Sequence, residues 1–175
     1  MQRIFEDVRT QAEQDELEKL AFTDLLTGIP NRISCTEKMK AITADEWYAV
    51  AFFDVDCLKK ANDNYGHEVG DALIKEAANL IKQTFHQEFG FYGRWGGDEF
   101  LAVFKDGDEL SRFKYAFDSL VKITAEGNEL PIPFSISVGY YEHVPGADES
   151  VNDCINHADD AMYEVKKAKK AARTD

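Results

Sequence analysis

Two acidic groups in this sequence have the residue types and positions to bind a metal ion and a phosphate-bearing ligand. Asp54 and Asp56 follow an apolar, β-prone run, residues 47–53. Asp98 and Glu99 follow two glycines between two further apolar runs. Clustered carboxylates repel one another unless a cation lies between them, and a small set of hard oxygen ligands selects Mg²⁺, which also bridges to substrate phosphates. If the strand and the hairpin are sheet neighbours, these side chains predict a magnesium–nucleotide site.

The residues around these acids leave one alternative open and exclude another. Acids at a hairpin tip can be solvated turn residues, and clustering alone does not decide between that interpretation and a ligand site. Gly96 and Gly97 favour a ligand, because glycines let the backbone approach it where side chains would clash, although Gly-Gly is also common in tight turns. An EF-hand calcium loop starting at Asp54 is excluded, since Lys59 occupies the position that needs glycine.

The segment after the first acidic pair has features of a phosphate-binding loop. We expect residues 55–58 to form a short loop whose amides, with the N-terminus of the helix after it, face an anion. Lys59 would add a positive charge, although a lone lysine is more often simply exposed. His67, next to Gly66, is interpreted as a helix N-terminal cap or a ligand contact, with capping favoured.

Asn62 and Asp71 offer an amide and a carboxylate, the groups that can read the Watson–Crick edge of guanine. A carboxylate accepts hydrogen bonds from the N1–H and N2 amino group of guanine, and adenine has no such pair of donors. Either residue alone would be an ordinary surface side chain, so the guanine interpretation depends on both lying at one site.

Hydrophobic periodicity predicts the elements that must position these residues. The predicted order is a helix over residues 2–20 with one narrow apolar stripe, a turn over 24–32, a short helix to about 43, a strand over 47–53, a helix over 67–86, a hairpin over 89–95 and 100–104, a helix over 108–125, a strand over 133–141 and a helix from 151 to near the end. This order predicts an α+β domain with helices packed on the faces of a sheet. The first helix is interpreted equally well as a solvated lead-in or as a dimerising stalk.

Composition narrows the class of protein. The chain has 175 residues, 44% of them hydrophobic, which is enough for one domain with a core, and its formal net charge of −13 argues against nonspecific nucleic-acid binding. No signal peptide or membrane span is recognisable, so a soluble, cytosolic segment is expected. Cys35, Cys57 and Cys154 are scattered without a CxxC spacing, which suggests reduced thiols rather than disulfides or a zinc site.

Several motifs together resemble the GGDEF family of diguanylate cyclases, and the resemblance covers about residues 21–170. The matching blocks, in order, are residues 24–32, 54–59 with Asn62 and Asp63, 66–71, the signature 94–100 (RWGGDEF), and 158–163 with Lys166. The resemblance implies a polymerase-palm-like, ferredoxin-like α+β domain that condenses two GTP molecules into cyclic di-GMP and releases pyrophosphate.

The resemblance also implies roles for individual residues. Asp54, the carbonyl of Val55 and Asp98 correspond to the ligands of Mg²⁺, with Mn²⁺ as an alternative ion. Asp98 is the candidate base for the attacking 3′-hydroxyl, and Glu99 supports the metal or the base. The positions matched to GTP are Asn62 and Asp71 for guanine, His67 beside the substrate, Gly96 and Gly97 in the signature, and Cys57, Leu58, Lys59, Lys166 and Lys170 for the phosphates.

The family works as two facing domains with one GTP each, so the implied partners are GTP and a second copy of the chain. We assign residues 1–20 to a linker or stalk and 21–175 to the catalytic domain. An upstream sensory domain is expected, and the segment would then be the cytosolic output of a larger, membrane-bound or cytoplasmic protein, without membrane contact of its own.

Three departures from the family pattern bear on activity. Leu58 replaces a usual Phe, and Lys170 stands where the family commonly has Arg. The product-inhibition motif Arg-x-x-Asp is missing, because Gln87 and Gly90 occupy its two positions, so feedback is expected to be weak. The alternative function is a catalytically weak GTP-binding regulatory module, and a pure dimerisation domain would leave the acidic residues unexplained.

Overall fold

The computed structural model describes residues 13–14, 16–127 and 129–172. In chain order its elements are α1 (residues 13–14 and 16–22), α2 (Arg32–Met39), β1 (Tyr48–Val55), α3 (Leu58–Tyr65), α4 (His67–Thr84), a 3₁₀ turn (Gln87–Phe89), β2 (Gly90–Gly96), β3 (Glu99–Phe104), α5 (Gly107–Gly127), β4 (Ile136–His143) and α6 (Val151–Ala172). Among these described helices, none combines the length and apolar character needed to cross a membrane.

The four described strands form one antiparallel sheet in the order β2–β3–β1–β4. β3 lies between β1 and β2, and the chain that connects those two strands carries helices α3 and α4. This split βαβ arrangement is the ferredoxin-like, palm-type topology. The predicted α+β fold, a central sheet flanked by helices, is confirmed.

Strand β1 lies in the interior of the sheet, and all eight of its residues are buried. Its side chains alternate between two cores. Ala51 and Phe53 join the core formed with α4 and α5, whereas Val50 and Phe52 join the core formed with α2 and α6. Burial of both faces explains why the strand is a continuous apolar run until Asp54.

Some element boundaries differ from the prediction. The segment after β1 contains a separate short helix, α3, which ends because Gly66 adopts a φ of 88° that no helix continues. Helix α2 ends at Met39 rather than near residue 43, and α4 ends at Thr84. Strand β4 is shifted to Ile136–His143 from the predicted 133–141, since Pro133 has no N–H to donate to a sheet.

The predicted N-terminal stalk lies largely outside the described residues, which exclude 1–12 and 15. In the described part of α1, Leu17 and Leu20 are exposed, with 66% and 53% of their surface accessible. The assignment of residues 1–20 as a stalk and 21–175 as a separate domain stays a prediction.

Gly139 sets the distance between α6 and the sheet. It lies in β4 opposite Phe52 of β1, and a Cβ atom added there would collide with the backbone carbonyl of Ala158 and the backbone nitrogen of Met162. Only a residue without a side chain allows the backbones of β4 and α6 to approach this closely. The position of α6 matters for the site, because its C-terminal half carries four lysines, at 166, 167, 169 and 170.

We expect Gly139→Ala to lower the free energy of unfolding by about 1–3 kcal/mol, the usual cost of forcing extra volume into a packed contact. Urea unfolding followed by circular dichroism measures this change. Gly107→Ala is the matched control, because a Cβ at Gly107 would meet only the Trp47 ring at ordinary contact distance, 3.6 Å. Equal stability of the two variants would show that α6 does not depend on Gly139.

Candidate active site

The β1–β3 pairing brings three of the predicted carboxylates to one end of the sheet. Asp54 lies directly opposite Glu99 in the antiparallel register. Asp98 occupies the turn before Glu99, and its backbone carbonyl accepts a hydrogen bond from the Val55 N–H at 3.1 Å. By strand alternation, the side chains of Asp54 and Glu99 are on the face that α2 and α6 cover. The structure therefore gathers Asp54, Asp98 and Glu99 as the sequence predicted.

The arrangement is electrostatically unfavourable without a cation. Burial raises the pKa of Asp54, and the charges of Asp98 and Asp56 raise it further, while a hydrogen bond from Lys166 opposes them. Burial likewise raises the pKa of Glu99, with added repulsion from Asp98. Like charges directly opposite each other in a sheet are destabilising. The end of β1 therefore favours a bound positive charge.

Lys166 supplies one such charge. Its Nζ donates a hydrogen bond to Asp54 Oδ1 at 2.5 Å, and the lysine side chain remains 38% exposed. Lys166 thus reaches the carboxylates from α6 while keeping contact with solvent. Lys170, the other α6 lysine that we predicted at the phosphates, is exposed, and its role stays a prediction.

Asp56 has a different role from Asp54, with which the sequence groups it. Its carboxylate accepts hydrogen bonds from the hydroxyls of Ser135, at 2.5 Å, and Ser137, at 2.8 Å, and from Lys169 Nζ at 3.2 Å. Burial raises the pKa of Asp56, but these hydrogen bonds outweigh it and leave the pKa below its ordinary value. Asp56 therefore ties the end of β1 to β4 and α6 instead of facing a ligand.

The loop between β1 and α3, which we predicted to face phosphates, contains a residue with an unusual backbone conformation. Cys57, at the N-cap of α3, adopts a left-handed backbone with φ 62°, which is uncommon for a residue with a side chain and frequent at functional sites. Leu58 begins the helix and packs against the core, while Lys59 is exposed in its first turn. The N-terminal amides of α3 are thus presented next to Lys59.

Asn62 of α3 packs closely against Gly70 of α4. A Cβ added at Gly70 would collide with Asn62 Oδ1. That buried oxygen has no hydrogen-bond partner among the described residues. Asp71, the residue after Gly70 in α4, is exposed. The joint role of Asn62 and Asp71 in reading guanine stays a prediction.

The favoured interpretation of His67 as a helix cap is wrong. The N-cap of α4 is Gly66, no side chain caps the helix, and His67 is its first residue, exposed to solvent. Glycine occupies the cap because the backbone there has positive φ. The alternative role of His67, a contact with the ligand, stays a prediction.

Gly96 and Gly97 leave open space at the hairpin tip. A Cβ added at either residue would meet no atom within 4 Å, and Gly97 has a φ of 48°. The backbone of the turn therefore favours glycine at position 97, whereas at position 96 neither the backbone nor packing against the protein excludes a side chain.

An ion pair that the sequence analysis did not identify holds this tip in place. Arg94 Nη1 donates to both carboxylate oxygens of Asp24 at 3.0 Å, and its Nε and Nη2 donate to the Gly97 carbonyl at 3.0 and 2.7 Å. Thr27 also donates to Asp24, through its N–H and its hydroxyl. The signal was present in the sequence as two matching blocks, 24–32 and 94–100, but their 70-residue separation hid the contact.

The structure explains why an aspartate is absent at position 90. A Cβ at Gly90 would collide with the backbone carbonyl of Val103 on the paired strand. Gln87, at the other position of the missing motif, lies in the 3₁₀ turn and is exposed. The β2–β3 pairing in this chain therefore leaves no room for the usual acid, and weak feedback stays a prediction.

The chain was compared with known proteins. Residues 21–172 match the family model described as diguanylate cyclase, GGDEF domain. The bifunctional diguanylate cyclase/cyclic di-GMP phosphodiesterase MucR of Pseudomonas aeruginosa is 33% identical over 161 residues, 86% of this chain and 23% of MucR. Diguanylate cyclase DgcM of Escherichia coli is 28% identical over 172 residues, 93% of this chain and 40% of DgcM. This chain therefore spans less than half of either relative.

A solved structure shares the fold. The coiled coil and GGDEF domain of DgcB from Caulobacter crescentus, determined in complex with c-di-GMP, has a TM-score of 0.81 and 24% sequence identity. The match covers 95% of this chain and 92% of that one.

Loss of the Asp24–Arg94 ion pair should have a pH-dependent effect on stability. Burial, the largest effect, raises the pKa of Asp24, but hydrogen bonds from Thr27 and Arg94 leave it below its ordinary value of 3.8. A lowered carboxyl pKa contributes stability above the unfolded-state pKa and loses it as the pH falls through the folded-state pKa. We expect Asp24→Asn to lower the free energy of unfolding by about 1 kcal/mol at pH 7, since the pair is partly solvated.

Urea unfolding from pH 7 down to pH 2 tests this expectation, and the difference from the unmodified chain should shrink below about pH 4. Asp118→Asn, which alters an exposed carboxylate on α5, is the control and should leave stability unchanged. A pH-independent loss in Asp24→Asn would indicate that the turn depends on the shape of the side chain and not on its charge.

Proposed function

This chain belongs to the diguanylate cyclase GGDEF-domain family, and from that premise we propose that it condenses two GTP molecules into cyclic di-GMP and pyrophosphate. The observation that carries the proposal is the register that sets Asp54 opposite Glu99 with Asp98 in the adjoining turn. Asp98 and Glu99 belong to the signature motif and Asp54 to the block at 54–59, and we infer that the turn at residues 55–58 binds phosphate and that Asn62 and Asp71 read guanine.

The donor set fits a hard divalent cation. Asp54, Asp98 and Glu99 offer only oxygen ligands, and burial, together with the repulsion from Asp98, raises the pKa of Asp54 and of Glu99. We assign Mg²⁺, with Mn²⁺ as the alternative, to these carboxylates and the Val55 carbonyl. When bound, the ion offsets charge on the triphosphate and lowers the pKa of the attacking hydroxyl.

The protein's own residues bind and orient the substrate around that position. The amides at Cys57 and Leu58, with Lys59, Lys166 and Lys170, would hold the phosphates. Asn62 and Asp71 would bind guanine. His67, exposed at the start of α4, would contact the same nucleotide.

Asp98 is the candidate base. Its side chain is half-buried in a two-residue turn, so it can receive a proton from the 3′-hydroxyl and pass it to solvent. The Arg94–Asp24 pair holds the preceding carbonyl at Gly97, which restricts the positions available to Asp98. Glu99 supports the same centre from β3.

Each domain would bind one GTP, so catalysis requires a homodimer with facing half-sites. Exposed Leu17 and Leu20 of α1 provide apolar surface for association, whereas the net charge of −13 opposes it. The relatives are much longer than this chain, which supports an upstream sensory domain that controls the pairing. Regulatory GTP binding without turnover is the second candidate, favoured by Lys170 in place of arginine.

Asp98→Asn should reduce formation of cyclic di-GMP by at least about 100-fold, since a positioned base contributes roughly 10²–10⁴ to a rate. Incubation with GTP and Mg²⁺, followed by chromatography of products and assay of pyrophosphate, measures the effect. Asp118→Asn should retain full activity. If the unmodified chain binds GTP but forms no product, the regulatory function replaces the catalytic one, and an active Asp98→Asn variant would remove Asp98 from the mechanism.

Asp71→Ala should weaken GTP binding about 5- to 150-fold, equivalent to the roughly 1–3 kcal/mol cost of leaving polar partners unpaired. Calorimetric titration in the Asp98→Asn background prevents turnover during the measurement. ATP should bind weakly to both proteins, so the preference for GTP should fall in the Asp71→Ala variant. Equal affinity of the unmodified chain for ATP and GTP would contradict the guanine assignment.

A further inference from the structure

A second group of potential metal ligands lies where β4 ends and α6 begins. It comprises His143, the last residue of β4, Glu149 in the following loop, and Cys154 in the first turn of α6. His143 Nδ1 is 3.8 Å from Cys154 Sγ and 3.8 Å from Glu149 Oε2, and the three ligand atoms all lie within 4.8 Å of one another. His143 and Cys154 are buried, whereas the Glu149 side chain is 27% exposed and gives an ion access from solvent.

The hydrogen bonding of His143 leaves a lone pair directed at this group. His143 Nε2 lies 2.9 Å from the backbone carbonyl oxygen of Ala44. A carbonyl oxygen can only accept, so Nε2 carries the hydrogen in the neutral ring. Nδ1 is then unprotonated, which is the state that a metal ligand requires.

The other two ligands are also oriented by a second side chain. The Tyr141 hydroxyl donates to both oxygens of Glu149 at 2.9 and 3.0 Å. The Tyr48 hydroxyl lies 3.3 Å from Cys154 Sγ, and the Tyr48 ring stacks on the His143 ring with centroids 4.5 Å apart. Metal ligands in proteins are typically fixed by such outer hydrogen bonds, which set ring orientation and ligand basicity. Here all three candidate ligands have one.

Ligand spacing and ligand chemistry agree. Tetrahedral zinc, with bonds of about 2.3 Å to sulfur and 2.0–2.1 Å to nitrogen, requires ligand atoms about 3.4–3.6 Å apart. The two separations from His143 Nδ1, 3.8 Å each, are close to that distance, and the Cys154–Glu149 pair lies within 4.8 Å, so the partly exposed Glu149 side chain would have to move toward the other two ligands. We propose that His143, Glu149 and Cys154 bind a zinc-class divalent transition metal ion.

This site is separate from the magnesium site. His143 pairs with Tyr48 at the start of β1, whereas Asp54 lies six residues further along the same strand, about 20 Å away. The sulfur of Cys154 and the nitrogen of His143 are ligands that suit zinc and disfavour Mg²⁺. Three protein ligands leave a fourth position, for water or for His157, whose Nε2 is 3.5 Å from Glu149 Oε1.

The test uses Co²⁺ as a spectroscopic probe for zinc. The chain is treated with a chelator, placed in excess Mg²⁺ to occupy the carboxylate site, and titrated with Co²⁺. We expect one equivalent to produce a thiolate-to-cobalt charge-transfer band and tetrahedral visible bands, both removed by added Zn²⁺. Zn²⁺ should also raise the melting temperature of the chain, because an ion that binds only the folded state stabilises it.

Variants assign the bands to this site. Cys154→Ser should abolish the charge-transfer band, and Cys35→Ser and Cys57→Ser, the matched controls, should retain it. Glu149→Gln should weaken Co²⁺ binding at least about tenfold, since even the loss of an outer partner costs that much. Glu149 is partly exposed, so this variant keeps the test valid if Cys154→Ser does not fold.

Three results would overturn the proposal. The first is the absence of a charge-transfer band in the unmodified chain. The second is a band that persists in Cys154→Ser and is lost in Cys35→Ser or Cys57→Ser. The third is equal Co²⁺ affinity in the unmodified chain and in Glu149→Gln. Each would identify the cluster as a hydrogen-bonded network without a metal. None depends on cyclase activity, so the outcome is independent of the proposed function.

Discussion

The register of β1 against β3 and β4 is the constraint on which both the core and the site depend. Side chains of a strand alternate with a period of two, so one register assigns Phe53 to the core with α4 and α5 and Phe52 to the core with α2 and α6. A slip of one residue would exchange these faces and move Asp54 away from Lys166. The packing of the two cores thereby fixes the position of the Asp54 carboxylate at the end of β1.

That carboxylate is held in an unfavourable environment by interactions outside the site. Asp54 faces Glu99 because the backbone pairing is stable, not because the carboxylates attract. Lys166 offsets part of the repulsion, and its reach depends on α6, which Gly139 admits close to β4 and which Lys169 ties to Asp56. Packing and hydrogen bonds on neighbouring elements therefore offset the repulsion between the carboxylates.

Local pattern predicted most of the fold and located the acids, but not the contacts that orient them. Apolar periodicity identified β1, the β2–β3 hairpin and α4, since these signals need only adjacent residues. The direction of Asp56 toward Ser135 and Ser137 was not predictable, because it depends on a strand about 80 residues away. The Arg94–Asp24 pair was missed for the same reason. The cysteine spacing gave no zinc motif, since Cys154 meets His143 only after β4 and α6 pack together.

Helix α6 connects the two ends of the sheet physically. Cys154 lies in its first turn and Lys166 twelve residues later, about 18 Å along the axis at 1.5 Å per residue. The helix is anchored near its start by the Cys154–His143–Tyr48 contacts, in its middle by the close approach at Gly139, and near its end by Asp54 and Asp56. A rigid element fixed at three points cannot shift at one end without strain at the others. The contacts that fix the first turn of α6 therefore help to position Lys166, although no residue of that turn reaches Asp54 or Asp56 by itself.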